Sequence, residues 1–269
     1  MTPTPATVTL TTGVSLSCAT QGDSEGPALV LLPGPTDSWR SYAPVLAHLP
    51  ASIRAVAVSQ RGHGDSDKPA TGYAVEDFAA DAVALLDALG IDRATLAGHS
   101  GSCPVARRVA IDHPDRVAGL VLEASPTTLR GHAGLEGFVA SVVAGLHDPI
   151  DADVARSLVT DTSAEGLAPD VVAGLVDEVL KVPARVWKGT FAGLLAYDDT
   201  ADLDRIAAPT LLVWGDADDL VGRAMQDELC RRIGGAELVV YPGIGHTPRW
   251  QDPVRFAADV AAFVDRVAR

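Results

Sequence analysis

A serine, a histidine and an aspartate stand in this sequence where their side chains could carry out nucleophilic catalysis. Ser100 lies in the stretch GHSGS, His246 ends the glycine-rich stretch PGIGH, and Asp218 ends the stretch GDAD. A serine hydroxyl becomes a nucleophile when a histidine accepts its proton and a carboxylate orients that histidine. These residue types therefore predict acyl transfer, with Ser100 as nucleophile, His246 as base and Asp218 as acid.

The segments before these residues predict the elements that position them. An apolar run typical of a buried strand precedes each of the three, at residues 94–98, 211–214 and 238–241. After Ser100 the apolar residues follow a helical spacing. A strand, a tight turn and a helix are the context in which a G-x-S-x-G motif projects its serine from the sheet, with the amino end of the helix behind it. The chain order is Ser, Asp, His.

These motifs and their order resemble the α/β-hydrolase superfamily, and the resemblance covers nearly the whole chain. It includes the stretch RGHGDS at residues 61–66, after the predicted fourth strand, and LPGP at residues 32–35, after the third. The resemblance implies an α/β fold with a mostly parallel twisted sheet, helices on both faces and an inserted helical cap. It also implies a serine hydrolase that requires no cofactor.

Three other carboxylates compete with Asp218 for the role of the acid. Asp216 and Asp219 are its neighbours, and the family's Gly-x-x-Asp pattern favours Asp218 over both. Glu123 ends the strand after the serine turn, where some relatives carry the acid. Its spacing from Ser100 is one residue short, so we expect its side chain on the other face of the pleat.

The oxyanion hole is the part of the predicted site that departs from the family pattern. The resemblance places one donor at the backbone N–H of Gly101 and the other at the residue after His-Gly in the third-strand loop. That position holds Pro35, which has no N–H, and Pro33 replaces the usual histidine. Three outcomes stay open: Thr36 supplies an N–H or a hydroxyl, a substrate or water compensates, or the chemistry stabilises less oxyanion charge.

The order of the predicted elements indicates one core with one insertion. Residues 1–125 and 205–269 alternate strands with helices, as in a parallel doubly wound sheet. Residues 126–204 contain no predicted strand but four predicted helices, at 135–146, 152–159, 169–180 and 184–195. Such a segment is typical of a cap over the carboxyl ends of the strands.

A substrate pocket is expected between Ser100 and the cap. The candidates to line it are apolar or aromatic, and core packing is the competing interpretation for each of them. They are Trp39, Phe138, Val142, Trp187 and Phe191.

Composition excludes several other classes of function. The chain has 269 residues, 47% of them apolar, and a formal net charge of −14, which argues against binding to nucleic acid or through a basic membrane patch. No segment has the roughly 20 apolar residues of a membrane span, no Cys/His cluster has metal-ligand spacing, and the amino terminus lacks a signal-peptide pattern. Three cysteines without C-x-x-C favour reduced thiols in a cytoplasmic protein. The expected partner is a small molecule, and the oligomeric state is left open.

The predicted function is hydrolysis of a carboxylic ester or lactone of a small, moderately apolar substrate through an acyl-enzyme on Ser100. The same triad fits carbon–carbon bond hydrolysis, perhydrolysis or a natural-product tailoring step. A third hypothesis is a small-ligand receptor with the same fold. Epoxide hydrolases and haloalkane dehalogenases fit less well, because those relatives have Asp at the nucleophile position.

Overall fold

Eight strands form one sheet in the computed structural model, which describes residues 2–163 and 167–269. The strands are β1 (Thr4–Thr9), β2 (Ser15–Gln21), β3 (Ala28–Leu32), β4 (Arg54–Val58), β5 (Ala94–His99), β6 (Val117–Glu123), β7 (Thr210–Gly215) and β8 (Glu237–Tyr241). They lie side by side in the order β1-β2-β4-β3-β5-β6-β7-β8. The pairs β1–β2 and β2–β4 are antiparallel, and the remaining pairs are parallel.

Helices follow the strands in the alternation that the sequence predicts. Those of the described residues are α1 (Ala43–Leu46), α2 (Val75–Ala88), α3 (Cys103–Asp112), α4 (Ala133–Ser141), α5 (Ala152–Asp161), α6 (Pro169–Leu180), α7 (Ala184–Ala196), α8 (Arg223–Arg232), α9 (Pro248–Gln251) and α10 (Pro253–Val267). Asp252 caps α10, since its side chain accepts a hydrogen bond from the N–H of Arg255.

The central strands are apolar on both faces because successive side chains enter two different cores. In β3, Val30 and Leu32 belong to one core, which also contains side chains of α2 and α3. Leu29 and Leu31 belong to the other, which contains side chains of α1 and α10. Each fully buried Val or Leu contributes about 1.5–3 kcal/mol of transfer free energy. The predicted mostly parallel sheet with helices on both faces is confirmed.

Outside residues 126–204, the first strand and the first helix differ most clearly from the bounds that the sequence predicts. The first strand, expected at residues 7–11, begins at Thr4, and most of its side chains are exposed. This strand forms by pairing with β2 and not by apolar burial. The hydropathy of its residues therefore predicts its bounds only weakly. The helix expected near residues 42–49 is a 3₁₀ turn at Trp39–Tyr42 followed by the short α1.

The helices α4–α7, here called the helical insertion, fill the chain between β6 and β7, where the described residues form no strand. Helix α6 has the predicted bounds, whereas α4 ends early at Ser141 and a 3₁₀ turn follows. One contact joins the segment between α5 and α6 to the loop after β8: the Ser163 and Thr247 hydroxyl oxygens lie 2.9 Å apart. The domain bounds 1–125, 126–204 and 205–269 stay predictions, and residues 1 and 164–166 within them lie outside the described residues.

One buried arginine of the core binds both ends of the helical insertion. Arg107 of α3 is fully buried, and its guanidinium donates to the two carboxylate oxygens of Asp199 at 2.9 and 2.8 Å. It also donates to Ser125 Oγ, Pro126 O and Thr127 O at 3.1, 2.7 and 3.1 Å. These bonds use all five N–H donors of the guanidinium. The segment that leaves β6 and the segment that leads into β7 therefore meet at this side chain.

We expect Arg107→Met to lower the free energy of unfolding by about 3–5 kcal/mol, because the variant leaves the Asp199 carboxylate buried without a cation. Urea-induced unfolding followed by circular dichroism measures the change. Arg205→Met is the matched control, since the Arg205–Asp202 pair is exposed and contributes about 1 kcal/mol or less. Equal losses in the two variants would contradict the role given to Arg107.

Candidate active site

Ser100, His246 and Asp218 form a hydrogen-bonded chain at the carboxyl ends of the strands. His246 Nε2 lies 2.8 Å from Ser100 Oγ, and His246 Nδ1 lies 2.8 Å from Asp218 Oδ2. Because a carboxylate only accepts hydrogen bonds, Nδ1 carries the hydrogen and Nε2 is available to accept the serine proton. Asp218 and His246 are buried, and Ser100 is half-buried. This is the geometry of a nucleophile, a base and an orienting acid.

The loop after β7 directs Asp218, and not its acidic neighbours, at the histidine. The Asp218 Oδ1 atom accepts hydrogen bonds from the backbone N–H groups of residues 220–221, at 2.8 and 3.0 Å. Asp216 instead accepts the N–H of Gly243 at 2.6 Å, and Asp219 is exposed. Of these three carboxylates, the structure brings Asp218 to the imidazole.

The turn that presents Ser100 is strained and closely surrounded. Ser100 has φ 51°, in the left-handed region, where a residue other than glycine costs about 1–3 kcal/mol. A Cβ on Gly98 would lie 2.7 Å from Ser102 O, and one on Gly101 would lie 2.7 Å from Pro35 Cγ. Both positions therefore require glycine, and the serine stands on the sharp strand-to-helix turn that its motif predicts.

The loop after β3 approaches this turn as a type II β-turn. The N–H of Asp37 donates to Gly34 O at 3.1 Å, with Pro35 at the second position of the turn and Thr36 at the third. Thr36 has φ 74°, which is unusual for a β-branched residue. It is buried, and its Oγ1 makes no hydrogen bond with the residues that the structure describes. An unpaired hydroxyl thus lies next to the proline that lacks a donor.

The family comparison agrees with this geometry. The model of the family described as "alpha/beta hydrolase fold" matches residues 27–253, a range that contains the serine turn, the aspartate loop and the histidine. The chain belongs to the α/β-hydrolase family. The resemblance drawn from the sequence motifs is confirmed.

Relatives of this α/β-hydrolase carry different enzyme names. A segment covering 43% of the chain is 41% identical to epoxide hydrolase B of Mycobacterium tuberculosis, but it spans only 33% of that protein. A non-heme chloroperoxidase of Streptomyces lividans is 30% identical over 96% of this chain and 99% of its own. The solved esterase RhEst1 from Rhodococcus sp. ECU1013 superposes with a TM-score of 0.83 at 27% identity, covering 99% of this chain and 100% of its own.

A buried ionic cluster underlies the site of this α/β-hydrolase. Arg249, on α9 shortly after His246, is fully buried and donates to Asp37 Oδ2 at 2.6 Å and Glu123 Oε2 at 3.3 Å. Its backbone N–H donates to Glu123 Oε1 at 2.9 Å. Burial raises the pKa of both carboxyls, and the charge of Arg249 opposes that rise. Glu123 is therefore directed at the arginine and not at the imidazole.

His99 forms a second link to the histidine loop. Its Nε2–H donates to His246 O at 3.1 Å, and the two imidazole rings lie 4.9 Å apart. Burial, followed by the charges of Arg249 and His246, holds the pKa of His99 well below its ordinary value, so the ring is neutral. Sequence reasoning assigned no role to His99 beyond packing and none to Arg249. The sequence feature that could have indicated Arg249 was Glu123, because a carboxylate at the end of a buried strand requires a buried partner.

The five predicted pocket residues do not meet in one place. Phe191 lies 5.5 Å from Phe138 and 6.0 Å from Trp187, as ring centroids, so these three form an aromatic cluster in the helical insertion. Val142 is half-buried, and Trp39 is buried in the core on the α1 side of the sheet. None of the five lines the small cavity beside the serine turn. Their role as pocket walls stays a prediction.

Among the described residues no group of three or more His, Cys, Asp or Glu side chains is placed to hold a metal ion. Burial raises the pKa of the Cys103 thiol to about 12, so it is protonated at neutral pH and is a poor nucleophile. Residues 2–163 and 167–269 contain no helix of the length and hydrophobicity that a membrane span needs.

We expect His63 to make the protein less stable in acid. Burial lowers its pKa to about 4 from 6.5, so the unfolded chain binds the proton first as the pH falls. The stabilisation is present above pH 6.5 and is lost as the pH falls towards 4, with about 2 kcal/mol lost between pH 7 and pH 5. Urea unfolding at both pH values, with His63→Asn and the exposed His48→Asn as control, measures this. An unchanged pH dependence in His63→Asn would contradict the assignment.

Proposed function

We propose that this chain is a serine hydrolase that cleaves a carboxylic ester or lactone of a small, moderately apolar substrate. The hydrogen-bonded chain from Ser100 through His246 to Asp218, with both distances at 2.8 Å, carries the proposal. A serine on a strained turn, with an unprotonated imidazole nitrogen against its hydroxyl, is arranged to attack a carbonyl carbon.

The proposed reaction proceeds through an acyl-enzyme. Ser100 Oγ bonds to the carbonyl carbon while its proton passes to His246 Nε2, and Asp218 stabilises the imidazolium through Nδ1–H. The bond from carbon to the alcohol oxygen then breaks, and His246 returns the proton to that oxygen. In the second half-reaction a water molecule gives a proton to His246 and attacks the acyl carbon. The bond from carbon to Ser100 Oγ then breaks, His246 returns the proton to that oxygen, and the carboxylic acid is released.

The proposed oxyanion hole has one backbone donor and one hydroxyl donor. The N–H of Gly101 follows the nucleophile at the amino end of the 3₁₀ turn Ser100–Ser102, where helical N–H groups lack helical partners. Pro35 has no N–H, so we assign the second donor to the buried and unpaired hydroxyl of Thr36. Hydroxyl groups serve as oxyanion donors as backbone N–H groups do.

The relatives give unequal support to the possible reactions. The esterase RhEst1, similar over 99% of this chain, supports an ester substrate. Epoxide hydrolase B supports epoxide chemistry less, because the similarity covers 43% of the chain. A serine also stands here at the position where epoxide hydrolases have the attacking aspartate.

Perhydrolysis by the same triad is the second candidate. The similarity to the non-heme chloroperoxidase of S. lividans, over 96% of this chain, favours it. Hydrogen peroxide would replace water, give a proton to His246 and attack the acyl carbon. The bond from carbon to Ser100 Oγ would then break, His246 would return the proton to that oxygen, and the acyl group would leave as a peracid. Both candidates share the acyl-enzyme and differ in the molecule that releases it.

We also infer a cytoplasmic location. Cys18, Cys103 and Cys230 are free thiols. Free thiols persist in a reducing compartment, which supports this location.

We expect Ser100→Ala to lower kcat on short p-nitrophenyl esters by at least about 10⁴-fold, because it removes the attacking oxygen. Mass spectrometry should show an acyl adduct on Ser100 in the wild type, and adding hydrogen peroxide tests for peracid. Ser141→Ala, which removes an exposed hydroxyl, is the matched control and should retain full activity. A folded wild-type protein with neither adduct nor turnover would reject ester hydrolysis in favour of carbon–carbon bond hydrolysis, a natural-product tailoring step or a ligand receptor.

Thr36→Val should lower kcat by about 10²–10³-fold, because it removes one proposed oxyanion donor and keeps the side-chain shape. Thr36→Ser keeps the hydroxyl and is expected to retain most of the activity. Steady-state kinetics with one ester measures all three proteins. Wild-type kcat in Thr36→Val would show that the second donor is another group.

A further inference from the structure

A cavity with room for about one water molecule lies beside Gly101. Pro35, Gly101 and Ser102 form its side towards the serine turn, and Thr190 and Leu194 of α7 form its side towards the helical insertion. Gln60 and His63, from the loop after β4, complete its polar lining. The cavity is thus in contact with the loop after β3, residues 33–37, here called the oxyanion loop, with the serine turn and with the helical insertion.

Three polar atoms of residues that line this cavity make no hydrogen bond with the residues that the structure describes. They are His63 Nε2, Gln60 Oε1 and Thr190 Oγ1. Their residues are 1%, 7% and 5% exposed, respectively, so bulk solvent does not satisfy them. Buried polar atoms in native proteins are almost always paired. Three unpaired atoms around one cavity therefore point to a polar guest.

The hydrogen-bonding state of two of these atoms follows from their other contacts. His63 Nδ1 lies 2.7 Å from Arg61 O, which only accepts, so Nδ1 carries the hydrogen. Since the ring is neutral, Nε2 is an acceptor. The Gln60 amide nitrogen donates to Pro33 O and Ser102 Oγ at 3.0 and 2.8 Å, which leaves Oε1 as an acceptor towards the cavity.

A guest must therefore donate two hydrogen bonds, while the hydroxyl of Thr190 is able to donate one. We propose that His63, Gln60 and Thr190 bind one buried water molecule, which donates to His63 Nε2 and Gln60 Oε1 and accepts from Thr190 Oγ1. A substrate group is the weaker hypothesis. A Cβ on Gly101 would lie 2.8 Å from Leu194 Cδ1, so no gap is open there for a chain held at Ser100.

The bound water joins the helical insertion to the oxyanion loop. It contacts Thr190 on α7, and through Gln60 it is connected to Pro33 O, which also accepts the Ser102 hydroxyl at 2.6 Å. Pro33 immediately precedes the type II turn that carries Thr36. Thr190 is thus a positioning residue, acting through the water and Gln60. This consequence rests on the proposed hydrolase function, whereas the water site does not.

Crystal structures of the wild type and of Thr190→Val at high resolution test the site itself. We expect one water within hydrogen-bond distance of all three atoms in the wild type, and a displaced or absent water in the variant. We also expect the same water in a crystal structure of Ser100→Ala. Because that variant lacks the proposed nucleophile, the water site is tested independently of the proposed hydrolase function. Direct pairing among the three side chains, or a different molecule bound to them, would overturn the proposal.

Kinetics test the positioning role. We expect Thr190→Val to lower kcat on an ester about tenfold with little change in KM, because the oxyanion loop loses a support. Thr190→Ser should restore activity, since it keeps the hydroxyl. Thr160→Val, which removes an exposed hydroxyl from α5, should match the wild type. Equal activity in Thr190→Val and the wild type would reject the positioning role, and failure of Thr190→Ser to recover would assign the loss to packing.

Discussion

The left-handed backbone of Ser100 is the constraint on which the site depends. A serine at φ 51° persists only where the surrounding structure excludes its alternatives. Here β5, buried along its whole length, delivers the chain to the turn from the middle of the sheet. Gly98 and Gly101 allow the close approach of the backbone and of Pro35. The fold thus holds the serine oxygen in place before any substrate arrives.

The buried arginine of α9 fixes the loops around that turn relative to one another. One guanidinium lies between two carboxylates, those of Asp37 in the loop after β3 and Glu123 at the end of β6. Burying these charges is costly, and such clusters often add little net stability. Their contribution is geometric, because Arg249 belongs to the helix that follows His246. One side chain therefore connects the histidine loop to the loop after β3.

Sequence patterns predicted the features that depend on residues close together in the chain. Helix α6 has its predicted bounds because Pro169 opens it and its apolar residues keep helical spacing. The order of Ser100, Asp218 and His246, each after an apolar strand, was similarly visible. Arg249 was not, because its partners Glu123 and Asp37 lie 126 and 212 residues away. The conformation of Thr36 and the packing of the insertion aromatics also depend on tertiary contacts that no local pattern encodes.

The hydrogen bonds of Arg107 join the helical insertion to the core at two points, residues 125–127 before α4 and Asp199 after α7. Both of its ends converge on one side chain of α3, the helix that starts directly behind the serine turn. Exchange of α4–α7 for other helices therefore requires that the Asp199 carboxylate and the carbonyls of residues 126–127 be kept, because the Arg107 guanidinium is buried and needs these partners. Residues 125–127 and Asp199 thus mark the two points at which the helical insertion can be recombined while Arg107 keeps all five of its hydrogen bonds.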